Sequence, residues 1–474
     1  MMSGGGDKEE KKSQAADATP ATTPAASPAA GPEKVATPPP SFAVEGHPDL
    51  VDVEIVGASD LEDGMMMELK VGAGKKDNVL ITRYQGKLYA IGAYCSHFGA
   101  PLVNGVLFDD KVLCPWHAAG FSVTSGAIEY APGLDGVPKY GISEKDGKHF
   151  VRVPKEMKQK EVAEMAKRDP SNSTKMVIIG GGAAGLNCAE TLRQSGYTGG
   201  IQVISNEKVL PYDRTLLSKG AATMTASKLT TRDSDFLDEY GIEFQLGYEA
   251  KDICKKTKNV ILSDGSKVPY DKLLIATGGK ARVPPTPGID LKGVHVLRSA
   301  ADQTAIKEAA KKAKQIVVVG GGFIASEVTA SLQKQYKNVH MLCDFNAPMD
   351  RYFGYDVGAM ILTEHERNGA KVYCGVNVFN LQYKGDKDGN VKKVVLENGY
   401  EIDADLVVVG AGNIINTDIA KAAGLEFDKN GGVKCNPFMQ TSDPDIFAAG
   451  DIASFPCWYT GTNLRIEHWI TALD

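Results

Sequence analysis

Lys175-Met-Val-Ile-Ile-Gly180-Gly-Gly182-Ala-Ala-Gly185 is the stretch that decides the fold of most of this chain. An apolar strand pattern runs straight into G-x-G-x-x-G, and a helix-type run from Leu186 to Gln194 follows. A second strand pattern, Ile201-Gln-Val-Ile-Ser205, ends in Asn206-Glu207. Each glycine has its own mechanical role, Gly180 in a tight turn, Gly182 in close backbone approach to a pyrophosphate, and Gly185 in close packing of helix on strand. The helix N-terminus offers unpaired N–H groups to phosphate, and an acid after the second strand, here Glu207, can hold ribose hydroxyls. A lone glycine-rich turn would be weak evidence, but here strand, helix and acid all accompany it.

The unit recurs downstream. Gln315-Ile-Val-Val-Val-Gly320-Gly-Gly322-Phe-Ile-Ala325-Ser-Glu327 is again strand, glycine-rich turn and helix, followed by a strand pattern at Val339-His-Met-Leu342. Alanine is tolerated at the third position. Two such units imply two dinucleotides, FAD in one and NADH in the other, with NADPH as the alternative. After the second strand of the later unit stand Cys343 and Asp344, and no Lys or Arg appears before Arg351. An acid there binds both ribose hydroxyls and repels a 2′-phosphate. Asp344 as the ribose ligand, and NADH preference, are therefore expected.

A different chemistry precedes both units. Cys95-Ser-His97 and Cys114-Pro-Trp-His117 form C-x-H-x16-C-x2-H. Two thiolates and two imidazoles suit a Rieske [2Fe–2S] centre, where two cysteines hold one iron and two histidines the other. The same donors could make a Cys2His2 zinc site. Zinc spacing groups cysteine with cysteine and histidine with histidine, whereas here each loop carries one of each. Four unconnected residues repeating this pairing by chance is the weakest reading. Cys95, His97, Cys114 and His117 are the expected metal ligands.

Composition limits the rest. At 474 residues, with 43% hydrophobic content, about three domains are expected. The net charge of −6 and the lack of a basic patch argue against nucleic acid. No apolar run nears the about eighteen residues of a membrane span. Six of the eight cysteines are not claimed by the cluster and show no C-x2-C spacing, against a disulfide framework or a second metal site. Residues 1–46 are rich in Ala, Pro, Thr, Ser and Gly and should be disordered. That segment has no arginine and no apolar stretch, so it resembles neither a transit nor a signal peptide. A cytoplasmic protein is expected, with mitochondrial association left open. Residues 47–154 alternate in short β-type runs separated by turns such as Gln85-Gly86 and Asp146-Gly147. The charged stretch 155–174 reads as a linker with some helical content. The fold class is thus multidomain: a small antiparallel β domain, then an α/β pair of dinucleotide units. The latter divide as 175–297 for FAD, 298–412 for an inserted NAD(P) unit, and 413–474 for the return to the FAD unit.

Resemblance to known families sharpens these assignments. Tyr94-Cys95-Ser-His97-Phe-Gly-Ala-Pro-Leu102 and Leu113-Cys114-Pro-Trp-His117-Ala-Ala-Gly120-Phe resemble the cluster loops of Rieske ferredoxins. High-potential members add a disulfide near these loops; Ala100 and Ala119 stand in those neighbourhoods. The resemblance therefore implies the low end of the roughly −150 to +300 mV Rieske range. Asp271-Lys-Leu-Leu-Ile-Ala276-Thr277-Gly278-Gly279, Leu406-Val-Val-Val-Gly410-Ala-Gly412 and Thr441-Ser-Asp-Pro-Asp445-Ile-Phe-Ala-Ala-Gly450-Asp451 resemble characteristic segments of the two-dinucleotide-domain flavoproteins. In that superfamily the last Asp binds the ribityl chain, which implies a flavin role for Gly450 and Asp451. The C-x4-C pair of its disulfide reductases is absent here. Instead Pro211-Tyr-Asp-Arg214-Thr-Leu-Leu-Ser218-Lys219 and Arg465-Ile-Glu467-His-Trp469 resemble ferredoxin-reductase-like and apoptosis-inducing-factor-like members. The resemblance implies that Arg214 and Lys219 contact FAD, that Lys219 meets Glu327 near the reactive edge, and that Trp469 stacks near the flavin ring. Lys219 and Glu327 are accordingly the expected catalytic pair. A Rieske domain ahead of this module resembles the Rieske-containing apoptosis-inducing-factor-like flavoproteins. These carry a further C-terminal domain over the flavin, while this chain stops at Thr471-Ala-Leu-Asp474.

The implied activity is electron flow from NAD(P)H through FAD to the [2Fe–2S] cluster, then to an unknown acceptor such as a redox protein. Flavin is the part that can take electrons in pairs and pass them singly. Two other classes remain: an interaction protein in cell death with little turnover, and the reductase component of an oxygenase system.

Overall fold

The computed structural model describes residues 41–44, 47–225 and 229–474. The expected disordered tail, residues 1–46, lies outside the described residues apart from Ser41–Val44. Those four form a strand antiparallel to His47–Glu54, so the first sheet starts ahead of residue 47. An open strand edge leaves backbone donors and acceptors unpaired, and this segment pairs them.

The first domain is built on a seven-stranded antiparallel sheet. Its order is Ser41–Val44, His47–Glu54, Lys148–Pro154, Lys139–Lys145, Lys87–Gly92, Asn78–Tyr84 and Met66–Lys70. Two hairpins turn at Gln85-Gly86 and Asp146-Gly147, all four residues having positive φ, as two-residue type I′ turns need. Val53, Val79, Ile81 and Val151 are wholly buried beneath it. A second sheet, Val106–Phe108, Lys111–Leu113, Gly120–Ser122 and Ile128–Tyr130, carries the loop at Cys114.

Residues 155–174 contain no helix, contrary to expectation. Their backbone groups are taken by elements on either side. Glu161 bridges to Gly136 of the first domain, while Ala166 N–H donates to Arg193 O at 2.8 Å and Asp169 N–H to Thr198 O at 3.0 Å in the second. A segment held this way cannot also close i→i+4 bonds.

The second domain has a five-stranded parallel sheet, ordered Ile242–Leu246, Gly200–Ser205, Lys175–Ile179, Lys272–Ile275 and Ile446–Ala448. The last strand arrives after the insertion, so the two segments of the chain complete one sheet. The helix Ala183–Gln194 packs on it. The inserted unit has its own parallel sheet: Val294–Val296, Leu406–Val409, Ile316–Val319, Val339–Leu342 and Lys371–Tyr373. Its three central strands are buried at every residue, the pattern of a sheet covered on both faces. It begins at Val294, before the expected 298, because Val294–Val296 pairs in parallel with the return strand. The chain crosses between the units on two antiparallel segments, Gly279–Ala281 and Asn413–Ile415.

Candidate functional site

The two loops expected to hold metal share one backbone frame. Cys95 N–H donates to Ala100 O at 2.9 Å, and Gly99 N–H to Cys95 O at 2.8 Å. Cys114 N–H donates to Ala119 O at 2.9 Å, and Ala118 N–H to Cys114 O at 3.0 Å. Gly99 and Ala118, each four residues past its cysteine, take left-handed φ of 76° and 58°. Only the first is the residue type that does so freely. Each reversal turns a cysteine and a histidine toward the other loop.

The donors then sort by type. Both thiols are buried, and burial together with the neighbouring Cys114 pushes Cys95 up to about 12; a thiol that coordinates a metal is deprotonated outright. The imidazoles of His97 and His117 lie 5.1 Å apart, edge to face. Burial, followed by the charges of His117, Lys160 and Lys219, pulls His97 down to about 4, which leaves its ring neutral and able to ligate. Its Nδ1 is buried with no hydrogen-bond partner. Among the described residues no three such side chains gather about a single metal ion, as a zinc site demands. A cysteine pair beside a histidine pair fits two irons. Ala100 and Ala119 are fully buried methyls, and all eight cysteines are free.

A cavity of about 1210 Å³ opens at the carboxyl end of the second domain's sheet. It exceeds the roughly 300–1,000 Å³ of ordinary small-molecule sites, as a dinucleotide requires. A Cβ on Gly180 would lie 2.1 Å from Ala276 O, and one on Gly185 only 1.9 Å from Gly180 O. A Cβ on Gly182 would meet nothing within 4 Å: it faces the cavity. Gly182 also caps the helix Ala183–Gln194 with no side-chain hydrogen bond, so the first N–H groups are free for phosphate.

Charged side chains line the rest. Glu207 meets Arg214 at 2.6 Å and accepts from Tyr212 Oη at 2.7 Å. Each carboxylate oxygen keeps a lone pair for a ribose hydroxyl. Against the pull of burial, Tyr212 and Glu207 raise the Arg214 pKa above its usual value. Asp451 meets Arg298 at 3.2 Å, and Gly450 has φ 69°. Thr277 Oγ1 donates to Asn416 O at 2.6 Å, beside Gly278 at φ 58°. Lys219 meets Glu327 at 2.9 Å, and Ser218 Oγ donates to the other Glu327 oxygen at 2.5 Å. This pair joins the flavin unit to the inserted unit. Trp469 forms part of the wall.

The second glycine-rich turn reaches the same cavity through Phe323, Ile324 and Glu327. Gly320 has φ 127° and Gly412 φ 100°, Gly322 leaves its helix without a side-chain cap, and the Ala325 methyl is buried. Asp344 Oδ1 is buried without a partner, and a Cβ on Gly321 would sit 2.9 Å from it. The carboxylate thus packs against the turn.

The first domain meets the wall of this cavity. Trp469 Nε1 donates to Pro132 O of the first domain at 3.4 Å, and the Lys219 charge reaches His97. Arg298 was not anticipated. Its only signal is its place before Ser299, which with Asp302 forms a capping box.

Comparison with known proteins accords with this geometry. The model of the pyridine nucleotide-disulphide oxidoreductases matches residues 174–474, and that of the Rieske [2Fe–2S] domain matches residues 52–141. Apoptosis-inducing factor 3 of Homo sapiens is 35% identical over 92% of this chain and 72% of its own length. Putidaredoxin reductase of Pseudomonas putida is 34% identical over 63% of this chain and 71% of its own length. The solved covalent complex of putidaredoxin reductase with putidaredoxin superposes with a TM-score of 0.60 at 33% identity, covering 64% of this chain and 73% of that one.

Proposed function

Because this chain belongs to the pyridine nucleotide-disulphide oxidoreductases and carries a Rieske [2Fe–2S] domain ahead of that module, we propose that it moves electrons from NADH to its own cluster, and onward to a separate redox protein. The enzyme class and the FAD, NAD(H) and [2Fe–2S] cofactors follow from the family; the route and the acceptor are our reading. One observation carries it: Trp469 lines the flavin cavity and donates to Pro132 of the Rieske domain, so the flavin cavity adjoins the domain that carries the cluster donors. Bound FAD supplies the conversion between a hydride donor and a one-electron acceptor.

The side chains bind and orient. The N–H groups after Gly182 take the pyrophosphate, Glu207 and Arg214 secure the adenosine end, and Asp451 with Thr277 and Gly278 holds the ribityl chain. Lys219, kept by Glu327, would present a cation to the bound flavin, and Trp469 would wall its ring. Gly320, Gly322, Ala325 and Gly412 shape the nicotinamide dinucleotide's seat, and Asp344 selects NADH by its ribose. Cys95 and Cys114 would hold one iron of the cluster, His97 and His117 the other. Among the described residues no helix is long and apolar enough to cross a membrane. The six cysteines outside the cluster loops are unpaired, which suits a reducing compartment, and we place the protein in the cytoplasm.

Anaerobic mixing with NADH tests the reading. Flavin absorbance should bleach first and the paramagnetic signal of the reduced cluster should follow. His117→Ala should abolish that signal while FAD stays bound. A cluster that remains oxidised beside fully bleached flavin in the unaltered protein would overturn the route.

A further inference from the structure

A cluster of ions is buried where the Rieske domain meets the flavin domain. Arg232, 7% exposed, forks onto Asp135: Nη1 donates at 3.0 Å and Nη2 at 2.6 Å. The same guanidinium donates to Glu190, Nε at 2.9 Å and Nη2 at 2.8 Å. Both carboxylates are 3% exposed, and the guanidinium lies 4.4 Å over the Phe236 ring. Lys160, at 3.8 Å from Asp135, adds a second positive charge from the linker, so two anions face two cations.

The partners come from three places. Asp135 belongs to the Rieske loop that also presents Pro132. Glu190 lies on the helix that starts at the flavin-side glycine turn. Arg232 belongs to the flavin domain and is fixed to both. The contact also runs on into the cluster. Ser96, between Cys95 and His97, donates its hydroxyl to Asp135 O at 2.6 Å. Leu134 packs into the apolar core around the helix Ala183–Gln194. One short path therefore leads from that helix, through Arg232 and Asp135, to the first cluster loop.

Resting on the NADH-to-cluster route above, we propose that Asp135, Arg232 and Glu190 form an interdomain latch that seats the first cluster loop against the flavin cavity. Arg232 and Asp135 are then positioning residues for electron transfer inside the chain. Neither lines the flavin cavity. Their forked, largely buried geometry accepts one orientation, which a surface pair would not enforce. The transfer they serve balances as NADH → NAD⁺ + H⁺ + 2 e⁻. The two electrons reach the cluster singly, and a one-electron acceptor protein removes each before the next.

The test uses the full chain carrying FAD and the cluster, as Arg232→Ala, Arg232→Lys and the isosteric Asp135→Asn. NADH is mixed anaerobically, and flavin bleaching and the cluster's paramagnetic signal are followed separately. Flavin bleaching should stay near the unaltered rate in all three. Cluster reduction should slow several-fold or more in Arg232→Ala and Asp135→Asn, because a first cluster loop released from the latch no longer holds the cluster at its tunnelling distance. Arg232→Lys should recover part of it. The dithionite-reduced signal should be unchanged in shape, since the ligands are intact. Unaltered cluster reduction in both Arg232→Ala and Asp135→Asn would overturn the latch. So would equal slowing of both phases, which would mark a role in the flavin domain's own fold. A cluster that NADH never reduces in the unaltered protein would instead overturn the route itself.

Discussion

The two glycine-rich turns begin alike and then part. Both open on a glycine at strongly positive φ, 117° at Gly180 and 127° at Gly320, and both launch a helix with no side-chain cap. At the third position the first turn leaves no room for a methyl, since a Cβ on Gly185 would lie 1.9 Å from Gly180 O, whereas the second buries the Ala325 methyl. The acids beyond differ further. Glu207 is already held by Arg214 and Tyr212, while Asp344 has a buried oxygen with no partner. The first turn is thus built into a prepared, charged cavity, and the second keeps an unmet acceptor. A cofactor that stays suits the first; a substrate that arrives and leaves suits the second.

That contrast can be broken. Gly185→Val should yield protein without flavin, because overpacking alone costs about 1–3 kcal/mol and here the clash is with backbone. Ala325→Gly should lose only about 1 kcal/mol. The flavin-to-protein ratio and Tm measure both, and a flavin-replete Gly185→Val would end the distinction. Lys219→Ala should keep its FAD yet slow flavin reduction by NADH roughly 10- to 100-fold. It sits below the about 10²–10³ of a buried donor because Lys219 is 44% exposed. Unchanged single-turnover bleaching would remove it from the chemistry. Asp451→Ala should weaken flavin by about 10- to 30-fold, the effect of one hydrogen bond to a charged group at about 1.5–2 kcal/mol; full flavin retention in dialysed protein would count against its role. The smallest effect belongs to Asp344→Ala. Its loss should cut the NADH preference in kcat/KM by about three- to tenfold, as one bond of about 1 kcal/mol does. A native preference for NADPH would defeat the assignment.

Much of this was legible because a glycine-rich turn or a cluster loop is written within about a dozen consecutive residues. The strands at Val339–Leu342 and Lys272–Ile275, the turns at Gln85-Gly86 and Asp146-Gly147, and the four cluster donors are local patterns of that kind. Arg232 was not legible. Its partners stand 42 and 97 residues away in the chain, and no periodicity links positions that distant. Arg298 escaped for the same reason, meeting Asp451 from 153 residues away. The linker misled in the opposite sense: charged, helix-favouring residues promised a helix, but tertiary hydrogen bonds at Glu161, Ala166 and Asp169 took its backbone.

The pinned linker and the buried ions have a consequence for how this chain exchanges electrons with itself. A loose tether sets an effective concentration that varies with its length, and a contact made of surface charges fades as ionic strength rises. Here the linker is bonded at both ends, and Arg232, Asp135 and Glu190 are largely shielded from counterions. Electron passage within the molecule should therefore stay level from low to high salt, while delivery to a separate acceptor should not.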